Sequence, residues 1–225
     1  MDFIFSSLNN VEGARGLVVV IDVLRAFTTA CYLFENKVKR IIPVDTVESA
    51  FELKKRHPDY ILVGEKQGWK ISGFDYDNSP TEIKGKNFLN KTVIMLTSTG
   101  TKGIMKLPKD IKEIITASFV NCRAVSKYIK SSNERTVYFV CTDNRYDDNE
   151  DYLCAQYIKN LLEGKKPNFK KIKNYLINHP TSYGFLKKPL TKNSRQDFDL
   201  CLELDKFNFV IKAHRNKNYI YLAMI

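Results

Sequence analysis

Apolar and polar positions along the chain alternate between short β-branched runs and longer stretches with helical spacing. Leu17 to Ile21 is an unbroken apolar run opened by Gly16 and closed by Asp22, the form expected of a strand buried on both faces of a sheet. Phe27, Ala30, Cys31 and Phe34 then recur at helical intervals over 26–36, followed by a strand over 38–44 and a helix over 46–56. Strands at 60–64, 92–97, 113–117 and 136–141 follow, with helices over 122–130 and 149–162. Glu150 and Asp151 open the last helix, where acidic side chains suit the positive end of the macrodipole. The remainder predicts a helix near 169–178, a polar loop to about Arg195, and short strands around Val210 and over 219–222. Repeated β-then-α units predict an α/β fold: three layers, α/β/α, around a largely parallel or mixed sheet with room for an antiparallel edge. No linker-like stretch divides the chain, so residues 1–225 read as a single domain.

Composition narrows the class. A chain of 225 residues can bury roughly 70% of its unfolded surface. Its 44% hydrophobic and 27% charged residues exclude a disordered or fibrous protein. No apolar run approaches the roughly 20 residues of a membrane span, and the N-terminal Met1-Asp-Phe-Ile-Phe-Ser-Ser lacks the charge and length of a secretory signal. A cytoplasmic protein without a membrane partner is expected. Cys31, Cys122, Cys141, Cys154 and Cys201 are scattered and form no Cys-x-x-Cys pair, so they read as reduced, mostly buried thiols rather than a disulfide framework or zinc site.

The net charge of +11 is uneven: 22 Lys/Arg stand against 19 Asp/Glu over 1–150, and 14 against 6 over 151–225. The densest stretch, 163–173, has one aromatic and no nucleic-acid motif, which favours a solvated basic face over nucleic-acid binding.

Ligands of open α/β sheets collect beyond the carboxyl ends of the strands, which here carry Asp22, Glu65, Thr97 to Thr101 and Asp143. Asp22 can ligate a hard cation and Arg25 can take a phosphate or carboxylate bidentately, or the two simply form a local pair at a helix start. The long segment 64–80 packs Glu65, Asp75, Asp77, Asn78 and Ser79 beside glycines, an oxygen-rich set suited to magnesium, although Asn78-Ser79-Pro80 also makes an ordinary turn. Thr97-Ser98-Thr99-Gly100-Thr101 offers hydroxyls and a helix start that fit a small phosphate or serve only as a cap. It is not a P-loop. The run before Asp22 lacks the second acid of phosphatases that begin hhhhDxDxT, and neither a Cys-x5-Arg loop nor a Gly-x-Ser-x-Gly elbow occurs. His57, His179 and His214 lie in polar contexts and read as solvated; Trp69 and Phe74 read as packing residues that could also wall a site.

Taken in order, Val19-Val-Ile-Asp-Val-Leu-Arg-Ala-Phe-Thr-Thr-Ala, Pro43-Val-Asp-Thr, Gly64-Glu-Lys, Gly73-Phe-Asp-Tyr-Asp-Asn-Ser-Pro, Leu96-Thr-Ser-Thr-Gly-Thr, Ser118-Phe-Val-Asn, Glu150-Asp-Tyr-Leu-Cys-Ala and Asp197-Phe-Asp-Leu-Cys-Leu resemble the 2-phosphosulfolactate phosphatase family, known as ComB. The resemblance covers most of the chain. It implies a Mg²⁺-dependent phosphatase that converts 2-phospho-3-sulfolactate to 3-sulfolactate and phosphate, a step towards coenzyme M in methanogens. The partners implied are a small anionic phosphorylated substrate and, in a homo-oligomer, further copies of the chain. On this reading Asp22, Arg25, Glu65 and Asp75 are catalytic, and Asp22, Glu65 and Asp75 are the metal-holding acids. Lys66, Asn78, Ser79, Thr97, Ser98, Gly100, Thr101 and Asn121 would bind substrate. The chain departs from the family pattern in having Lys66 for an arginine, Asp77 before Asn78, Ser98-Thr99 before Gly100, and Cys141-Thr142-Asp143-Asn144 in place of a small Cys-Ala-Gly turn. These departures leave open a divergent phosphatase acting on a related small phosphorylated acid and an anion-binding protein that retains the fold without the chemistry, while the basic C-terminal third leaves open a nucleic-acid binder.

Overall fold

Leu17–Ile21 forms β2, with no exposure at any of its five residues. The computed structural model describes residues 1–143, 148–216 and 219–225. Beside β2 run β7 (Glu113–Ala117) and β8 (Thr136–Cys141), both parallel to it, and β1 (Asp2–Ser7) lies parallel to β8 at the sheet edge. A second parallel set consists of β3 (Arg40–Pro43), β6 (Thr92–Leu96) and β4 (Ile61–Lys66), with the short β5 (Trp69–Lys70) antiparallel at the other edge. The hairpin of β9 (Ile211–Arg215) and β10 (Ile220–Met224) joins the sets, giving the order β1-β8-β2-β7-β9-β10-β3-β6-β4-β5. The α/β expectation is borne out as a ten-stranded, mostly parallel mixed sheet flanked by helices.

The antiparallel edge is present as β5, and further antiparallel strands, the β9–β10 hairpin, sit in the middle of the sheet. Three successive antiparallel pairings, β7–β9, β9–β10 and β10–β3, reverse the second set relative to the first. Neighbouring strands twist by roughly 20–25°, so the five pairings from β2 to β6 rotate the second set by roughly 100–125°. That rotation lets the carboxyl ends of the two sets converge: the Thr99 hydroxyl, after β6, donates to Asp22, after β2, at 3.1 Å.

Helix α1 (Ala26–Glu35) stands between the sets and is buried from Ala26 to Phe34, the signature of a helix enclosed on all sides. Its core cluster joins Val18 and Val20 of β2 to Ile41, Val63 and Met95 of the second set and to Ile211 and Leu222 of the hairpin. The opposite face of the first set carries α5 (Cys122–Ser131), α6 (Glu150–Leu162), α7 (Phe169–Asn178) and α9 (Ser194–Cys201), packed through Ile129, Ile158, Leu176 and Phe198. On the second set, α2 (Val47–Arg56) packs Ala50 against Ile42, Leu62 and Ile94. Three short helices, α3 (Pro80–Ile83), α4 (Gly100–Met105) and α8 (Tyr183–Leu186), border the carboxyl ends of the strands.

Two segments expected as loops are structured. Residues 64–80 contain the end of β4, the β5 hairpin and a bridge from Val63 to Tyr76, and the polar stretch to Arg195 contains α8 and the start of α9. All five cysteines are buried and free. Among the described residues no helix is long and apolar enough to cross a membrane.

Candidate active site

At the end of β2 the chain turns directly into α1, and Asp22 occupies that turn at 3% exposure. Its Oδ1 accepts the Ala26 N–H at 2.8 Å, while Oδ2 accepts the hydroxyls of Thr142 at 2.9 Å and Thr99 at 3.1 Å. The start of α4 comes so close that a Cβ on Gly100 would lie 2.7 Å from Asp22 Oδ2 and 2.4 Å from Ala26 Cβ, so this approach requires glycine.

Two further buried acids tie loops to this point. Glu65 Oε1 accepts the Ser98 N–H at 2.7 Å, and Oε2 accepts the Gly68 N–H at 2.7 Å and the Ser98 hydroxyl at 2.9 Å. Glu65 thereby fastens the β4–β5 turn to the loop after β6. Asp151, the second residue of α6, accepts the Val23 N–H through Oδ1 at 2.8 Å and the N–H groups of Thr142 and Asp143 through Oδ2, each at 3.0 Å. The Thr142 hydroxyl stands 3.1 Å from that same Oδ2. A hydroxyl has one proton, so Thr142 can donate to Asp22 or to Asp151 but not to both.

Arg25 supplies the opposite charge. Its Nη1 donates to Asp197 Oδ2 at 2.6 Å and lies 3.5 Å from Asp77 Oδ2, with the guanidinium 5.9 Å from the Phe185 ring centroid. The other Asp197 oxygen accepts the Ser79 hydroxyl at 2.7 Å and the Thr81 N–H at 3.0 Å. Asn78, in the same turn, is buried and its Oδ1 has no hydrogen-bond partner among the described residues. Asp22, Arg25, Glu65, Asn78, Ser98, Thr99, Thr142, Asp143, Glu150 and Asp151 line one cleft of about 410 Å³, with Phe185 and Leu190 as its apolar wall.

Electrostatics follow from this burial. Desolvation pushes the Asp22 carboxyl above its ordinary range against its hydrogen-bond donors, with Glu65 adding repulsion. Burial, then the charges of Glu150 and Asp22, push Asp151 well up. At Arg25 burial alone would lower the pKa, but Asp197 and Asp77 outweigh it and the guanidinium is held more firmly protonated than usual.

Of the residues expected at the site, the structure brings Asp22, Arg25, Glu65, Asn78, Ser98 and Gly100 together, along with Asp143. Others lie elsewhere. Asp75, expected as a cation-holding acid, does not line this cleft: its carboxylate accepts the Leu62 N–H at 2.8 Å, faces Lys54 at 3.7 Å and is 44% exposed. Lys66 is exposed on the β4–β5 hairpin and does not line the cleft. Ser79 is fully buried as the cap of α3, and Asn121 caps the turn after β7 by accepting the Ser118 N–H. Thr97 and Thr101 spend their hydroxyls on each other's backbone N–H groups, at 2.9 and 3.0 Å. Asn144 lies outside the described residues.

Trp69 is exposed and Phe74 belongs to the core over the second set, so neither walls the cleft. His179, expected to be solvated, is instead buried and accepts the Thr181 N–H through Nδ1. Asp151 and Asp197 were absent from the expected site. Their signal was the Glu150-Asp151 and Asp197-Phe-Asp segments within the family-like pattern, since neither position stands at a strand end.

Magnesium can be tested against these donors. Among the described residues no three His, Cys, Asp or Glu side chains form a ready cage. Mg²⁺ does not need one, because it keeps several waters and uses one or two carboxylates together with phosphate oxygens. Every carboxylate oxygen of Glu65 and Asp151 is fixed by at least one backbone N–H. Asp22 Oδ2 is instead held only by hydroxyls, which can rotate away. Among the described residues the lining brings five carboxyl groups and the guanidinium of Arg25 together, an oxygen-rich set. The donor set therefore fits a hard divalent cation at Asp22.

Fold and cleft together define an α/β protein with an acid-lined cleft at the carboxyl ends of two convergent strand sets. Residues 5–216 match the profile of the 2-phosphosulpholactate phosphatases, and the chain belongs to that family of phosphoric monoester hydrolases. A protein of Bacillus subtilis named "Probable 2-phosphosulfolactate phosphatase" is 38% identical over 148 residues, 65% of this chain and 64% of that protein. A relative of the same name from Caldanaerobacter subterraneus is 32% identical over 225 residues, 92% of both chains. Another, from Caldicellulosiruptor saccharolyticus, is 34% identical over 209 residues, 83% of this chain and 84% of the relative.

Proposed function

We propose that this cleft hydrolyses the phosphate monoester of a small acid in a Mg²⁺-dependent reaction, with 2-phospho-3-sulfolactate as substrate and 3-sulfolactate and phosphate as products. The family's name and the names of the relatives supply the substrate. The observation that carries the reading is Asp22 Oδ2, a buried carboxylate oxygen at a strand end that faces the cleft and is held only by two rotatable hydroxyls.

Hydrolysis adds water across the P–O ester bond, so the water oxygen ends on phosphorus and a proton ends on the released hydroxyl. Such a reaction depends mainly on position and charge neutralisation. A bound Mg²⁺, held at Asp22, would supply the positive charge that a phosphate dianion needs in an acid-lined cleft. Asp151 and Glu65 hold the loops that frame Asp22. Arg25 takes an oxyanion of the substrate with its remaining N–H groups. Ser98, Thr99 and Asn78 orient the substrate, and Phe185 and Leu190 keep water from one side of it. The chain acts as a single domain in the cytoplasm.

The test is phosphate release from 2-phosphosulfolactate, phospholactate and phosphoglycerate, with Mg²⁺ and then with EDTA. Chelator-sensitive release led by 2-phosphosulfolactate is expected, and its loss in a folded Asp22→Ala variant. Release that continues in EDTA removes the metal, and no release from any acid by folded wild type removes the reading.

A further inference from the structure

Among the described residues Arg25 is the one cation lining the cleft, and it is held by a carboxylate that does not itself line it, on the helix whose first residue, Ser194, does. Asp197 of α9 is fully buried and bonds with both oxygens. Oδ2 takes Arg25 Nη1 at 2.6 Å; Oδ1 takes the Ser79 hydroxyl at 2.7 Å and the Thr81 N–H at 3.0 Å. One carboxylate thus fixes two pieces of cleft wall far apart in sequence: the start of α1 and the 78–81 turn.

What those pieces present to the cleft is unfinished. A guanidinium offers five N–H donors in a rigid fork. Nη1 is taken by Asp197 with Asp77 at 3.5 Å, whereas Nε and Nη2 have no hydrogen-bond partner among the described residues. Asn78 Oδ1 is likewise buried without a partner among them. Buried polar groups are normally satisfied, so the unmet Asn78 acceptor, in the same cleft lining as the open edge of Arg25, marks a place completed by a bound molecule. An oxyanion that also carries a hydroxyl or a bound water meets both needs.

We propose that Asp197 is a positioning residue: it holds Arg25 and the Asn78 turn so that they form one oxyanion-binding corner of the cleft. Asp197 touches no substrate and acts through Arg25. The identity of the anion as a phosphorylated acid or its product phosphate rests on the phosphatase reading, while the coupling of Asp197 to Arg25 does not.

The experiment is a double-mutant cycle read by calorimetric binding of inorganic phosphate in the presence of Mg²⁺. Asp197→Asn keeps an oxygen for Ser79 and Thr81 but turns a donor towards Arg25. The expected result is a loss of about tenfold or more in phosphate affinity for Asp197→Asn and for Arg25→Ala, with no further loss in the double variant. A merely structural Asp197 predicts separate effects that add, and that outcome overturns the proposal, as does wild-type affinity in Asp197→Asn or a wild type that binds no phosphate. Should Asp197→Asn fail to fold, Asp197→Glu decides, since it keeps the charge but displaces it by one methylene. Folded Asp197→Glu with wild-type affinity overturns the proposal, and a tenfold loss supports it. Wild-type turnover is measured alongside. Coupled phosphate binding without hydrolysis of any phosphorylated acid sinks the phosphatase reading and leaves the role of Asp197 standing.

Discussion

Asp22 is held in place at a cost to the fold. Its carboxyl is buried near Glu65 and Asp151, and desolvation raises its pKa in the folded state. An acid with a raised folded pKa contributes stability that is fully present below its unfolded value and lost as pH rises through the folded value. At neutral pH the ionised group therefore weighs against folding. Asp22→Asn keeps the shape and removes the charge, so melting should rise by about 1–2 kcal/mol, roughly 2–8 °C, while turnover falls about 10³-fold or more. Scanning calorimetry and phosphate release check both halves; an active or destabilised Asp22→Asn contradicts the role. Gly100→Ala tests the same point from the other side. The added methyl meets Ala26 Cβ at 2.4 Å and Asp22 Oδ2 at 2.7 Å, and the strain should cost about 1–3 kcal/mol. Because the nearest movable group is Asp22 itself, kcat measured well below the melting temperature should fall as well.

Elements away from the cleft carry ordinary stability, and β7 shows how. Glu113 at its start meets Lys212 of β9 and Tyr128 of α5, tying the first parallel set to the hairpin and to an outer helix. Burial would raise the Glu113 pKa, but these two partners outweigh it and the carboxyl sits below its ordinary 4.5. For a depressed acid the stability is present above the unfolded value and disappears as pH falls through the folded one. Glu113→Gln should lower melting near neutrality and flatten its decline below pH 4.5, which melting curves across that range would show.

Such elements also show what the sequence makes legible. The strands β2, β6, β7 and β8 could be read because burial on both faces leaves unbroken apolar runs. By contrast β1 is half-buried, with Phe3 and Phe5 against Phe139 and Asp2 facing solvent, too brief an alternation to separate from a loop. Helix α9 looked polar because its Asp197 is buried by pairing with Arg25, a contact 172 residues away that no local pattern contains. Hydroxyls and amides at strand ends were ambiguous for a related reason: Thr97, Thr101, Ser79 and Asn121 satisfy backbone groups, whereas Ser98 and Thr99 face the cleft. Capping and ligand binding use the same residue types, and only the fold decides which one each performs.

At the scale of the whole molecule, a chain of net charge +11 gathers five carboxylates into the cleft where its two strand sets converge. The basic excess lies largely after residue 151, on segments such as 165–173 that are mostly exposed, so it does not neutralise the cleft directly. The sets are joined through the central β9–β10 hairpin and α1, and the acids between them come from both: Asp22 and Asp151 from the first set and its helices, Glu65 from the second. A cation at Asp22 would relieve repulsion across that seam, so its binding should stabilise the whole fold rather than one loop. Linkage gives about 2.7 kcal/mol for a ligand at a hundred times its Kd. For a chain of this size that corresponds to roughly 5–11 °C in Tm. Magnesium should therefore raise the melting temperature of the wild type in a saturable way, and EDTA should reverse the rise. In Asp22→Asn the baseline should already be higher and the magnesium response nearly absent, because the substitution has removed both the repulsion and the ligand. A magnesium response of wild-type size in that variant would place the cation elsewhere in the cleft, whereas a flat response in the wild type would remove it from the molecule.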